Sequence, residues 1–374
     1  MQKGKLLPFI IGQSGFFYDE ENNKQYFGAT PAYVIHAKHG GSNEIWLGIA
    51  GHEVEATNVR IYDDLGNFRL ETVEQYVRRD GEIFSYVHFT HGAGGFQNPV
   101  DDESARYFVS WMNGGGFKSI LTNADVSNGG DLCLYMLSLG GQKVDFDAWN
   151  HIRELLNAYK FAGYITEFDI TPLEFLQNEV IPFLPISIVQ GVEGLKPVFN
   201  VLASGADLLA VDTITANEEF YRASPIQSID DVSELINDYT LEYVYDEKEN
   251  QHRRNIRITG ESKDLYQNVT SNLQAVESFQ RYGIKSKMQR SNFIHDDDTA
   301  ALVAFDKIRF HSLPSRVIEY ITSPNYGYLR IGDIIRLTDQ EVFLTSRLVQ
   351  VISKSYQSNS WSYTFKIAPE GTQP

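Results

Sequence analysis

The chain has 374 residues, more than one hydrophobic core usually organises, and its 42% hydrophobic and 13% aromatic side chains can pack two or more domains. Forty-nine acidic against 32 basic residues give a formal charge of -17, which argues against a protein that grips nucleic acid by neutralising phosphates; a surface that nucleic acid passes without sticking remains compatible. The single cysteine, Cys133 in the apolar run LCLYML, excludes an internal disulfide, reads as a small buried hydrophobe and fits a reducing compartment.

The opening MQKGKLLPFIIGQSGFF reads as a first strand and not a signal peptide, since it lacks a small-residue cleavage site and soon reaches Asp19 and Glu20. No stretch approaches the roughly 18 uninterrupted apolar residues of a membrane span. From Lys5 to about Ser110, runs such as PAYVIHAKH, EIWLGIAG and EIFSYVHFTH separated by Gly, Asn and Asp predict short antiparallel strands.

Helical patterning takes over between Gly129 and Phe183. In GGDLCLYMLSLGG, Asp131 is the predicted cap and Gly140-Gly141 the stop. In VDFDAWNHIRELLNAYKF, Trp149, Ile152, Leu156 and Tyr159 recur at helical spacing behind Asp145 and Asp147. Thr171-Pro172-Leu173-Glu174 offers a capping box with proline at the first helical position.

Strand patterning returns in PFLPISIVQGVEGLKPVFNVL. SIDDVSELINDY predicts a short helix with Val232, Leu235, Ile236 and Tyr239 on one side. TLEYVYDEKENQHRRNIRITG predicts a hairpin in which Leu241, Tyr243 and Tyr245 alternate with Glu242 and Asp246. The last strand alternates without fault, Trp361, Tyr363, Phe365 and Ile367 against Ser362, Thr364 and Lys366, so one face must be buried.

Candidate chemistry is sparse. His295-Asp296-Asp297-Asp298 is the densest set of metal-ligand types, but carboxylates before the periodic run Ala300, Ala301, Leu302, Phe305 and Ile308 are what a helix N-terminus favours, and the cap is expected at Asp298 and Thr299. His88 and His91 point to opposite faces if both lie in a strand. The glycine-rich HGAGGF (His91 to Phe96) and NGGGF (Asn113 to Phe117) lack the Gly-Lys-Ser/Thr ending of a phosphate loop, and no GxSxG or HExxH pattern is present. No catalytic, cofactor-binding or metal-binding residue is therefore expected. In YGYLRIGDIIRLTDQ, Gly332-Asp333 is turn chemistry before a strand with Ile335 and Leu337 on one face and Arg336 and Thr338 on the other.

SFQRYG (Ser278 to Gly283), Asp298-Thr299-Ala300 opening a helix, then Leu329 and Gly332-Asp333-Ile334-Ile335 opening a strand pair together resemble the hub proteins of bacteriophage tails. These are the baseplate hub of contractile tails and the N-terminal hub of tail-associated proteins in long non-contractile tails. Gly129-Gly130-Asp131 through the Val144-Asp145 helix to Leu195-Lys196-Pro197-Val198 resembles that family's inserted helical segment, so the resemblance spans roughly residues 125 to 370.

The resemblance implies a mainly β fold with an inserted helical segment (α+β), several small β-barrel-like domains around a hub. The expected division is 1–125, an N-terminal β-rich hub domain; 126–185, the helical insert; 186–260, a return β segment; and 261–374, a C-terminal α+β and barrel domain. It further implies a homotrimeric ring in the virion, at the tail tip or baseplate, assembled in the host cytoplasm. Two similar barrels per protomer would adapt a sixfold tail tube or distal ring to a threefold tip or spike and leave a channel for DNA. Expected partners are distal tail or tube proteins, a tip, spike or fibre protein and a tape measure protein; wall cleavage or host recognition would belong to a partner. Gly283, Asp298 and Gly332-Asp333 carry over as fold-forming residues, which makes Gly332-Asp333 a barrel corner. With a DNA channel, the acidic surplus is expected on the bore and the Lys and Arg residues at protomer contacts, since bound phosphates would retard transit. A carbohydrate-active or carbohydrate-binding β protein, or a different virion or secretion-apparatus adaptor, are the rival readings; a glycosidase needs a cleft with two carboxylates at working separation.

Overall fold

The computed structural model describes residues 9–11, 30–38, 44–55, 59–63, 68–77, 83–90, 106–110, 126–165, 170–228, 232–246, 250–260 and 269–368. The fold is mainly β with helices inserted, an α+β architecture. Two seven-stranded sheets lie toward opposite ends of the sequence, and three hydrophobic cores serve them and the region between.

The N-terminal sheet has the spatial order Phe68–Glu71, Val59–Asp63, Tyr107–Ser110, Thr30–Lys38, Glu44–Ala50, Ile83–Thr90, Val73–Val77, antiparallel throughout. Its two outermost strands are separated in the chain by Thr72 alone, so the sheet's edges are joined through one extended segment and the sheet curls towards a barrel. Ile45, Leu47, Ile61, Val87 and Val109 fill the concave side, as the alternation in EIWLGIAG demands. Phe9–Ile11 pairs with Gly163–Ile165; Ile10 enters this core and Ile11 the next one, so three residues stitch two cores together.

The helical segment forms where its capping chemistry puts it. Asp145 caps Phe146–Arg153 by accepting from the Ala148 N–H at 3.0 Å, and Thr171 and Glu174 complete the capping box of Pro172–Phe175. One cap differs from expectation. Asn128, not Asp131, caps Gly129–Leu139, because Asn128 accepts the Asp131 N–H while the Asp131 carboxylate turns inward to Arg153, 3.4 Å away. Cys133, Trp149, Ile152, Leu156 and Tyr159 are all buried in the shared core. The hairpin of Ile186–Gln190 and Leu195–Phe199 docks on this segment through Leu195, whose N–H donates to Lys143 O and whose carbonyl accepts from Asp145 N.

The C-terminal sheet runs Ala210–Thr215, Ile334–Asp339, Leu344–Gln357, Ser360–Ile367, Arg316–Thr322, Phe220–Arg222, with Gln227–Ser228 also on Arg316–Thr322. Only the first pairing is parallel. Its outermost strands are again successive in the chain, joined by a turn in which Asn217 and Phe220 exchange backbone hydrogen bonds of 3.0 and 3.2 Å. Tyr363, Phe365 and Ile367 are buried as the alternation requires, and Phe220 packs against Tyr320, Tyr326 and Phe365 with ring centroids 5.0 to 5.9 Å apart.

Between Ser228 and Arg316 the chain leaves this sheet to build a second one, ordered Val269–Ser271, Gln251–Thr259, Asp238–Asp246, Ser286–Arg290, with helices Leu273–Tyr282 and Asp297–His311. The division expected at 260/261 runs between two neighbouring strands of this sheet. The helix expected in SIDDVSELINDY shrinks to one turn, Val232–Glu234, because Asp238 and Tyr239 are taken up by strand pairing on both sides. The hairpin's alternation also breaks: Val244 adopts φ 58° and donates to Ile294 O, so Tyr243 and Val244 are both buried, and Asp246, expected outward, is buried against Arg253 at 2.7 Å.

Candidate functional site

Gly332-Asp333 is consumed by the fold. Gly332 has φ 96°, a region that favours glycine, and a Cβ there would meet Val198 Cγ2 at 2.7 Å. Its N–H donates to Val351 O, Val351 N donates back to Asp333 O, and the Asp333 side chain accepts from Arg330 N at 2.7 Å. Gln350 adds hydrogen bonds to Gly332 O and Phe199 O, tying the corner to the preceding hairpin. Burial pushes the Asp333 carboxyl above its usual value. Beyond the corner Ile335 and Leu337 are fully buried, with Arg336 and Thr338 on the other face.

The carboxylates of His295-Asp296-Asp297-Asp298 diverge. Asp296 accepts the Thr299 N–H and hydroxyl, each at 2.8 Å; Asp297 takes Arg254 at 2.6 and 2.7 Å and the Tyr243 hydroxyl at 2.8 Å; Asp298 is exposed. Burial pushes the His295 imidazole down to about 4, and its Nε2 faces Asn292 O at 3.1 Å. The helix cap is thus Asp296, two residues before the expected Asp298, because Thr299 is the third helical residue and supplies the N–H that an N-cap captures. Asp296→Ala is expected to lower stability by about 1 kcal/mol and Asp298→Asn by only a few tenths, read from thermal melts of both variants. Among the described residues no group of three or more His, Cys, Asp or Glu side chains is arranged to hold a metal, and no helix is long and apolar enough to cross a membrane. His88 packs on Trp46 with ring centroids 4.9 Å apart; His91 and both glycine-rich loops lie outside the described residues.

One buried polar junction joins elements far apart in the chain. The Tyr159 hydroxyl donates to Asp306 on helix Asp297–His311, and burial pushes the Asp306 carboxyl up to about 6. Both groups are engaged with each other, which is the behaviour of a structural tie.

Two surface clefts are formed by the described residues. One, of about 610 Å³, lies at the end of the C-terminal sheet and is lined by Arg222, Pro225, Ile226, Glu341 and Phe343 among others; Arg222 and Glu341 pair at 2.9 Å, and Phe343 is 87% exposed at φ 57°. The other, of about 420 Å³, lies where Leu273–Tyr282 and the end of Asp297–His311 meet the C-terminal sheet, and Arg281, Arg309, Arg316 and Lys366 line it with Glu277. Each cleft carries a single carboxylate. Sequence reasoning named neither, because the lining residues are scattered and share no local pattern.

No family model and no curated protein sequence matches the chain. Among solved structures, its fold is similar to that of a chain in the virion of a native gene transfer agent particle, with a TM-score of 0.59 at 10% identity, covering 100% of this chain and 87% of that one. A 43 kDa tail protein of prophage MuSo2 from Shewanella oneidensis matches over 93% of this chain and 97% of its own, with a TM-score of 0.35 and 10% identity. A tail protein from Neisseria meningitidis MC58 matches over 92% and 97%, with a TM-score of 0.36 and 11% identity. At 10% identity the likeness to the gene transfer agent chain is one of fold, a β-rich α+β architecture.

Proposed function

We propose that this chain is a structural component of a phage-type tail, a hub that assembles as a homotrimeric ring at the tail tip or baseplate and has no catalytic activity. The observation that carries the reading is the fold likeness to a virion chain along the whole length of this one. Two curled sheets in one protomer add a geometric reason: three copies present six of them, which lets a threefold ring face a sixfold tail tube or distal ring. The other face of the ring receives a threefold tip, spike or fibre, with a tape measure protein as a further neighbour, and assembly takes place in the host cytoplasm. The corner at Gly332-Asp333 and the cap at Asp296 serve the fold, and the two clefts each hold one carboxylate where glycoside hydrolysis uses two.

The acidic surplus has a place in this reading. A bore lined by carboxylates repels a passing duplex, and the repulsion acts only over a Debye length of about 8 Å at physiological salt, so it concerns the channel wall. The purified chain is expected to form trimers, alone or with its tail neighbours, in light scattering over a wide concentration range. A chain that stays monomeric and forms no ring even with those neighbours sinks the reading.

A further inference from the structure

We infer that Phe343 is the knob of a contact between copies of this chain, its ring entering the cleft of about 420 Å³ on the next copy against Leu202, Tyr282, Leu313, Pro314 and Ile367. The inference rests on the homotrimeric reading above.

The turn that carries Phe343 is built against its own residue. Asp339 and Leu344 face each other across strands Ile334–Asp339 and Leu344–Gln357, so the turn consists of Gln340 to Phe343. Its last residue holds φ 57° and ψ 30°, the left-handed region that glycine or asparagine usually supplies in a hairpin turn. For a side chain as bulky as phenylalanine that backbone is strained. Burial does not offset the strain, because the residue is 87% exposed. A lone exposed apolar side chain is ordinary on a protein surface. Exposure combined with a backbone that disfavours the residue is not, and such strain gathers where a contact or a site retains it. Aromatic side chains are also enriched at protein interfaces.

The second copy is the occupant that charge favours. Copies of -17 repel one another as they approach, and an aromatic knob makes its contact without bringing a further charge to the interface. Beside it, Arg222 and Glu341 already neutralise each other at 2.9 Å.

Symmetry selects the cleft. Phe343 lines the cleft of about 610 Å³ with Pro225 and Ile226, so a ring entering that cleft on another copy brings the two turns face to face. Two copies do this about a twofold axis, which a ring of three lacks; three copies do it by converging on the threefold axis, where a channel would close. The other cleft avoids both outcomes. Ile226 lines the first cleft and Ser228 the second, so knob and pocket are distinct patches, and a contact between unlike patches is the kind that closes into a ring. The pocket also suits a ring: helix Leu273–Tyr282, the segment after helix Asp297–His311 and the end of strand Ser360–Ile367 wall it on several sides. Leu202 and Ile367 are buried and Tyr282, Leu313 and Pro314 half-buried, and a cavity of about 150 Å³ already takes benzene.

The test begins with Phe343→Ala and Phe343→Asn in sedimentation equilibrium and thermal melts. Both variants are expected to weaken self-association about thirtyfold or more, as loss of an interface anchor does. Phe343→Asn is expected to melt about 2 °C higher, since asparagine tolerates the left-handed backbone. A variant that gains stability while it loses association separates a contact residue from a structural one. Association unchanged by Phe343→Ala overturns the inference and leaves the trimer standing, and an Asn variant that melts several degrees lower overturns it by showing that the ring packs within its own chain. A chain that never associates, alone or with tail neighbours, removes the trimer and the inference together.

Cross-linking then locates the pocket. Thr345 is exposed two residues after the knob and Gln274 lines the cleft, while Cys133 is buried with its thiol pushed up by that burial and so stays unreactive. Gln274→Cys/Thr345→Cys treated with a short bis-maleimide is expected to give covalent trimers, and each single variant none. A double variant that assembles without linking overturns the inference. Thr345→Cys alone linking to itself overturns it too, assigning Phe343 to turns that meet face to face.

Discussion

Trp149→Ala is expected to cost about 4 kcal/mol. Trp149 is fully buried, lies in helix Phe146–Arg153 and belongs to the core shared by the helical segment, the hairpin after it and the inserted sheet. Removing a buried indole forfeits its transfer free energy and leaves a cavity that close-packed neighbours fill only in part; such changes run to about 3 to 5 kcal/mol. The indole Nε1 also donates to Leu195 O at 3.1 Å, but that carbonyl keeps a second donor, Asp145 N, also at 3.1 Å. No buried acceptor is orphaned, so the cavity sets the cost. Domains have about 5 to 15 kcal/mol in all, so the variant sits near the edge of folding. Denaturant titration followed by far-ultraviolet circular dichroism measures it, with Trp149→Phe as the smaller-loss control. A midpoint unchanged by Trp149→Ala would place the side chain outside the core.

The same helix illustrates what the sequence makes legible. Trp149, Ile152, Leu156 and Tyr159 are spaced for one face, and the structure buries all four; Asp145, Thr171 and Glu174 cap where a local rule puts them. Such features need no information from elsewhere in the chain. The final strand is equally readable, because Trp361 to Ile367 alternate and one face has to go inside. Legibility fails where a distant segment decides. Asp238 and Tyr239 look helical beside Val232, Leu235 and Ile236, yet pairing with Gln251–Thr259 and Ser286–Arg290 makes them strand. The parallel pairing of Ala210–Thr215 with Ile334–Asp339 spans more than a hundred residues, and nothing local in either strand names the other. Caps shift by two or three residues for the same reason: Asp131 is drawn to Arg153, leaving Asn128 to cap, and Asp296 rather than the exposed Asp298 captures the Thr299 N–H. The basic cleft is the extreme case. Its cations stand at positions 281, 309, 316 and 366 and meet only once both the inserted sheet and the C-terminal sheet have formed.

Arg257→Ala is expected to destabilise the chain by about 3 kcal/mol at neutral pH, with a pH dependence that identifies the cause. Asp238, 5% exposed, begins the central strand of the inserted sheet; its carboxylate accepts Arg257 Nε and Nη2 at 2.6 and 2.9 Å and the Ser286 hydroxyl at 2.6 Å. Those partners sit on the two flanking strands, so one carboxylate ties three strands together. Burial pushes the Asp238 carboxyl up, and the hydrogen bonds from Arg257 and Ser286 with the arginine's charge outweigh it, holding the group below its ordinary value. A carboxyl depressed in the folded state contributes stability that is present above its unfolded value, near 4, and is lost as the pH falls through the folded one.

Without Arg257 the burial remains and the arginine's charge and two hydrogen bonds go, leaving the Ser286 hydroxyl as a partner. The carboxyl of the variant then moves up from its depressed value, and the folded state bears a buried charge without its counter-ion at neutral pH. Removing one partner of a buried pair costs about 3 to 5 kcal/mol, and the lower figure applies because the Arg257 side chain is 33% exposed. On acidification the variant's carboxyl protonates early and sheds that cost, while the unaltered chain loses its ion pair. The stability gap between the two is therefore expected to be widest near pH 7 and to close towards pH 3. Asp238→Asn/Arg257→Met, which removes both charges, is expected to lose less than Arg257→Ala at pH 7 and to show a flatter pH profile. Denaturant midpoints for the three chains at several pH values settle the matter. A gap of constant width from pH 7 to pH 3 would trace the loss to the packing of the arginine stem and not to its charge.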